Sequence, residues 1–229
     1  MKKILLLGSQ HGDEPLGDTL FDYLRHNRPD MLEHVDFLIG NPEAKKRGIR
    51  FIESDLNRSY NGKHATFEER RASEILAFIE QGSYDLVLDL HTTTCVQPPC
   101  LITASISHPF IDASSVSKIV HMNHDIVRSS LIGVLKTAIS IEVNRDEIDQ
   151  TLLRSLVDDI ERFITNRTSE TKKEYYEVSA LLRKSELSEQ EAALLKNFHR
   201  AKAGFYPVLV GENSYKKHTD YLGFKAYKV

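Results

Sequence analysis

Cysteine is scarce in this chain: only Cys95 and Cys100 occur in 229 residues. Two thiols exclude a disulfide framework, so the pair across "CVQPPC" reads as buried or inert, and a cytoplasmic location is the expectation. Long apolar runs are missing too. The opening "MKKILLLGSQHG" holds two lysines and four apolar residues before it turns polar. A secretory core needs about 7–15 apolar residues, so the stretch reads as a first strand, and no membrane-spanning segment is visible. An excess of one charge sign is absent as well. Thirty basic and 33 acidic side chains leave a formal charge of −3, which argues against a nucleic-acid surface. The local basic run "EAKKRGIR" reads as a solvated loop. Internal repeats and low-complexity segments are also lacking.

What is present is ordinary globular material, 41% apolar and 28% charged, arranged as alternating strands and helices. Lys2 to Leu7 is a short apolar strand, and Leu16 to Leu24 carries apolar residues at helical spacing. "VDFLIG" is a second strand closed by Asn41-Pro42. An aperiodic stretch of about twenty residues follows, longer than most functionless loops. Thr66 to Glu69 then forms a capping box that starts a helix running to about Gln81. "YDLVLDLHTTT" is a buried strand with a polar tip, and "CLITAS" is another. A helix is expected near His108 to Val120, then a strand "TAISIEV" and the amphipathic helix "DEIDQTLLRSLVDDIERFI". Such alternation implies an α/β domain with helices on both faces of a mostly parallel or mixed sheet. Asn166 to Lys173 reads as a linker. Beyond it, strand-like pieces and a helix opened by Ser188 to Glu191 suggest a small α+β appendage.

Three predicted strands end in reactive groups at their carboxyl ends, where α/β sheets place ligands. They deliver His11 and Glu14, then His91, then Glu142. Two imidazoles and a carboxylate are the ligand set of a catalytic zinc with an open fourth position. A further carboxylate, off the metal, suits a general base. Gly12 would let the backbone pass close to the metal. Asp89 shares a strand face with His91 and could fix its tautomer from behind. Arg50, Asn57 and Arg58, in the long loop, are suited to gripping carboxylates. Each feature has a plainer reading alone: a hydrogen-bonded histidine, a buried ion pair at Glu142, a loop braced by surface charges. Their convergence favours the metal site. "HMNH", His121 to His124, reads as a polar helix end.

The combination "GSQHGDEPLG", "NPEAKKRGIRFIESDLNRSY", "DLHTTT" and "SIEV" resembles the aspartoacylase and succinylglutamate desuccinylase family, distant relatives of the zinc carboxypeptidases. The likeness covers roughly residues 4 to 145, with an echo in "YPVLVGENSY". It implies a three-layer, zinc-carboxypeptidase-like α/β domain over residues 1–166, with a mixed, mostly parallel central sheet. A small C-terminal α+β domain over 174–229 would contribute to the substrate pocket. It further implies one zinc ion per chain on His11, Glu14 and His91, with Glu142 activating the water. Arg50 would polarise the scissile carbonyl, Asn57 and Arg58 would hold the carboxylate of the amino-acid half, and Tyr215 would contact substrate. The arginine that holds an acidic side chain in this family is best matched by Arg128, with Lys136 as fallback. Asn144 stands where the family carries glycine.

The expected activity is hydrolysis of a small N-acyl amino acid, with an acidic one preferred. The expected partner is that small molecule, with no nucleic acid and no membrane, and self-association stays open. A carboxypeptidase is the nearest rival, but that family carries a tyrosine between its third ligand and its late glutamate, and none lies between His91 and Glu142. A non-catalytic relic that keeps the pocket for ligand binding is the other alternative.

Overall fold

The computed structural model describes residues 2–229. Its strands are β1 (Ile4–Gly8), β2 (Val35–Ile39), β3 (Leu86–Thr93), β4 (Cys100–Thr103), β5 (Lys118–Met122), β6 (Ala138–Asn144), β7 (Glu174–Arg183), β8 (Tyr206–Val208) and β9 (Tyr221–Lys228). They form one mixed, mostly parallel sheet in the order β2-β1-β3-β6-β4-β5-β7-β9-β8. The helices are α1 (Leu16–Asn27), α2 (Pro42–Arg47), α3 (Phe67–Gly82), α4 (Phe110–Ala113), α5 (His124–Val127), α6 (Leu131–Val134), α7 (Gln150–Ile164), α8 (Glu189–Ala193) and α9 (Asn213–His218). None is long and apolar enough to cross a membrane among the described residues.

Parallel pairing on both sides explains why β1 reads "ILLLG" and is buried throughout. Its residues alternate between two cores. Ile4 and Leu6 join Leu16, Leu20 and Leu24 of α1 and Leu156 and Ile160 of α7 on one face. Leu5 and Leu7 join Ala72, Ile75 and Ile79 of α3 on the other. Each fully buried leucine contributes about 1.5–3 kcal/mol, so the two faces lock the central strands between helical layers. Residues 174–229 carry both strands and helices, and their strands extend the same sheet. β7 pairs with β5 in parallel, and β9 and β8 follow antiparallel.

The helix expected over His108 to Val120 is a single turn, α4, followed by strand β5. Ser114 ends that turn in extended backbone (φ −74°, ψ 146°) and donates its hydroxyl to Asp159 of α7. The β-branched residues after it then serve as a strand between β4 and β7. "HMNH" accordingly spans the end of β5 and the start of α5, with Asn123 capping α5. The other boundaries follow the pattern. Thr66 and Glu69 form the expected capping box at α3, and Asp149 caps α7 by accepting from the Leu152 N–H at 2.8 Å.

Candidate active site

Register does the first part of the assembly. β3 and β6 run parallel with Asp89 opposite Ser140 and His91 opposite Glu142. With a side-chain period of two, all four lie on the sheet face that carries α3. The loop after β1 adds His11 and Glu14 at the same strand ends. It leaves the strand through Ser9, whose left-handed backbone (φ 50°) turns the chain sharply toward α1. Gly12 has a different role from the one expected. A Cβ there would fall 2.2 Å from the backbone of Ala44 and Lys45, so glycine admits α2 rather than a metal. Gly12 also donates its N–H to the Arg50 carbonyl at 3.1 Å, joining this loop to the long one.

The long loop is less free than its sequence suggests. The buried carboxylate of Glu68, in the first turn of α3, accepts the backbone N–H groups of Ile52 (2.6 Å), Glu53 (3.1 Å) and Ser54 (3.0 Å). It also accepts from the Asn41 amide at 3.0 Å. Asp55 then caps a short 3-10 turn, Leu56–Arg58, and so presents Asn57 and Arg58.

These pieces meet at Glu14. His11 Nδ1 lies 2.7 Å from Glu14 Oε1, and His91 Nδ1 lies 3.0 Å from Glu14 Oε2. The far nitrogens face carboxylates: His11 Nε2 is 2.9 Å from Asp55 Oδ1, and His91 Nε2 is 2.9 Å from Asp89 Oδ2. Asp89 is buried and also accepts from Gln10 (2.6 Å) and Ser140 (2.7 Å). Arg50 reaches Glu14 and Asp55 at 3.2 Å each. Burial alone would lower the proton affinity of His91, but Asp89 and Glu14 hold it well above the usual imidazole range. Burial would likewise raise Glu14, yet the two imidazoles hold it well below the usual carboxylate range.

This arrangement fits a divalent cation. One donor atom from each of His11, Glu14 and His91 lies within 4.8 Å of the others, and all three residues are buried. Each ring turns one nitrogen toward Glu14 and the other to an anchoring carboxylate, which is how a ligating histidine is oriented. The surplus of carboxylates attracts positive charge to this point, and two imidazoles with one carboxylate suit zinc.

Glu142 differs from its neighbours. Among the described residues its carboxylate makes no hydrogen bond or ion pair, so the buried ion-pair reading does not hold. Burial pushes its pKa up to about 7; His91 pulls it down, while Glu14 and Glu212 add to the rise. It faces a cavity of about 350 Å³ together with His11, Arg50, Asn57, Arg58 and Tyr215. Tyr215 is buried and comes from α9, whose position depends on Glu212. The Glu212 carboxylate accepts from Thr93 Oγ1 (2.7 Å), the Thr94 N–H (2.7 Å) and Thr94 Oγ1 (3.0 Å) at the tip of β3.

Two expectations change. Arg128 is exposed after α5 and does not line the cavity, because the short helix turns Ile126 and Val127 inward instead. Asn144 needs no glycine conformation, since its backbone is ordinary (φ −62°, ψ 128°) and its side chain accepts from the Asp146 N–H at 3.0 Å. Sequence reasoning passed over Asp55, Glu68 and Glu212. Asp55 had a signal, standing two residues before Asn57 in the motif read for Asn57 and Arg58. Glu68 showed only as part of a capping box, and Glu212 only as a neighbour of Tyr215.

Comparison with known proteins relates the chain to a family and to a fold. The family model described as the succinylglutamate desuccinylase/aspartoacylase catalytic domain matches residues 1–113. A succinylglutamate desuccinylase of Pseudomonas fluorescens is 42% identical over 101 residues, 39% of this chain and 30% of that protein. A probable aspartoacylase of Prochlorococcus marinus is 35% identical over 114 residues, 44% of this chain and 37% of that protein. The matched segment thus spans about a third of these relatives' length. The fold is shared across the whole chain. The crystal structure of murine aminoacylase 3 superposes with a TM-score of 0.75 at 17% identity, covering 100% of this chain and 95% of that one. Succinylglutamate desuccinylase from Chromobacterium violaceum gives 0.71 at 16%, covering 100% and 85%.

Proposed function

We propose, from the premise that residues 1–113 belong to the succinylglutamate desuccinylase/aspartoacylase catalytic-domain family, that this chain is a zinc-dependent amidohydrolase. It cleaves the amide of a small N-acyl amino acid to a carboxylate and a free amino acid. The observation that carries this reading is the unpaired Glu142 carboxylate in register with His91, beside the three converging donors.

His11, Glu14 and His91 would hold one zinc ion, which when bound supplies Lewis acidity and lowers the pKa of a coordinated water to about 7. Glu142 takes the proton of the attacking water and later delivers it to the leaving amine nitrogen. Its carboxylate has no partner among the described residues and faces the cavity beside His11 and Arg50, so it is free for both transfers. Arg50, fixed by Glu14 and Asp55, donates to the oxygen on which negative charge develops. Asn57 and Arg58 hold the carboxylate of the amino-acid half, and Tyr215 closes on it from α9. Arg128 takes no part.

The cavity volume supports a small substrate over a peptide. Leu181, Leu209, Tyr215, Tyr221 and Phe224, all from the C-terminal segment, form part of its wall. The test is elemental analysis with free-amine release from a panel of N-acyl amino acids, using Glu142→Gln as control. About one zinc per chain and turnover abolished by the control is the expected result. Zinc with release only from peptide C-termini would move the assignment to a carboxypeptidase. No metal and no turnover would leave a ligand-binding relic.

A further inference from the structure

Resting on the deacylase reading, we propose that the amino-acid half of the substrate carries a large apolar side chain, aliphatic or aromatic, and not a second carboxylate. The cavity is divided. Its polar end holds His11, Arg50, Asn57, Arg58 and Glu142, enough to engage one amide and one carboxylate. Most of the remaining wall is apolar: Ile102 of β4, Met122 of β5, Val127 of α5, Ile132 of α6, with Leu181 and Phe224 from the C-terminal strands. The Ser130 and Ser140 hydroxyls on it already donate to the Val127 carbonyl and to Asp89. Asn57 and Arg58 border this wall directly, since the Asn57 side-chain oxygen lies 3.4 Å from the Leu131 N–H at the start of α6. An amino acid held there by its carboxylate therefore turns its side chain toward the apolar surface.

No cation waits for a second carboxylate. Arg50, held by Glu14 and Asp55, serves the scissile carbonyl, Arg58 is needed for the first carboxylate, and Arg128 points to solvent. The one further charged residue on the lining is Asp125, an acid at the mouth. A second carboxylate would lose its water against hydrocarbon and face Asp125, with no partner to offset either cost. A leucine or phenylalanine side chain would gain from the same wall.

The zinc-loaded full chain is assayed with N-acetyl-L-leucine, N-acetyl-L-phenylalanine, N-acetyl-L-aspartate and N-succinyl-L-glutamate. Calorimetry of free L-leucine, L-phenylalanine and L-aspartate accompanies the assay. The expected result is kcat/KM for the apolar pair above the acidic pair by about 100-fold or more, with the same order in amino-acid binding. Turnover that favours the acidic pair, or treats both alike, overturns the pocket assignment and leaves the deacylase reading intact. Binding of apolar amino acids without any turnover has the opposite meaning: the pocket assignment stands and the deacylase reading falls. No turnover and no apolar preference in binding overturns both. Ile126→Arg, at a half-buried position on the lining, should narrow the selectivity about tenfold or more toward the acidic pair. Met122→Arg places the cation deeper for the same purpose. Selectivity unchanged in a folded Ile126→Arg protein counts against the proposal.

Discussion

His11 lies between two carboxylates from different parts of the chain, Nδ1 2.7 Å from Glu14 and Nε2 2.9 Å from Asp55. One contact is three residues away in sequence and the other 44, so the orientation of this ring is decided jointly by the first loop and the long one. His91 repeats the arrangement, with Glu14 on one side and Asp89 on the other.

Removing the anchor should therefore cost metal before it costs fold. Asp55→Asn is expected to weaken zinc binding by about 10–100-fold, read by competition with a chromophoric chelator. Unchanged affinity would mean that Asp55 serves Arg50 alone.

Glu142 is expected to titrate far from an ordinary glutamate in the metal-free protein. With its folded pKa raised from 4.5 to about 7, the folded state holds this proton more tightly than the unfolded chain does. Its contribution to stability is complete below about 4.5 and is lost as pH rises through 7. Urea midpoints measured across that window should show a falling component that Glu142→Gln removes, and the carboxyl 13C resonance should move near pH 7. A resonance that titrates near 4.5 would contradict the assignment.

Glu68 is predicted to be the keystone of the long loop. Glu68→Gln replaces an acceptor oxygen by a donor group and strands at least one backbone N–H, at a cost of about 2–3 kcal/mol. Urea denaturation would detect this. A raised KM should accompany it, because Arg50 and Asn57 sit on either side of the segment that Glu68 holds. Stability within experimental error of the parent would sink the idea.

Glu212→Ala should act on substrate binding and spare the metal. It releases α9 from Thr93 and Thr94, so Tyr215 loses its fixed place. KM is expected to rise about tenfold or more, while zinc content stays near one per chain. Loss of zinc in this variant would instead tie Glu212 to the metal site.

Much of this protein is legible along the chain. Apolar runs bounded by turn residues mark β1, β3 and β6, and the caps at Thr66 and Asp149 mark α3 and α7, because these signals depend on neighbours within a few residues. The same locality explains the failure between His108 and Val120, where pairing with β4 and β7 overrides any helical spacing. His11, Glu14, His91 and Glu142 are readable as a set because His91 and Glu142 stand near the ends of β3 and β6 and the loop that leaves β1 carries the other two, a place that α/β topology devotes to ligands.

What the sequence by itself determined was therefore the alternation of strands and helices and the chemical identity of the donors. Tertiary structure decided the rest. The β3–β6 register set His91 opposite Glu142, and Asp55 arrived beside His11 only because Glu68 folds the intervening loop. Arg128, expected from the resemblance to meet a second carboxylate, lies exposed at the end of a one-turn helix. Such outcomes depend on contacts between residues tens of positions apart, whose strength lies in burial and hydrogen-bond geometry, and neither is written in local pattern.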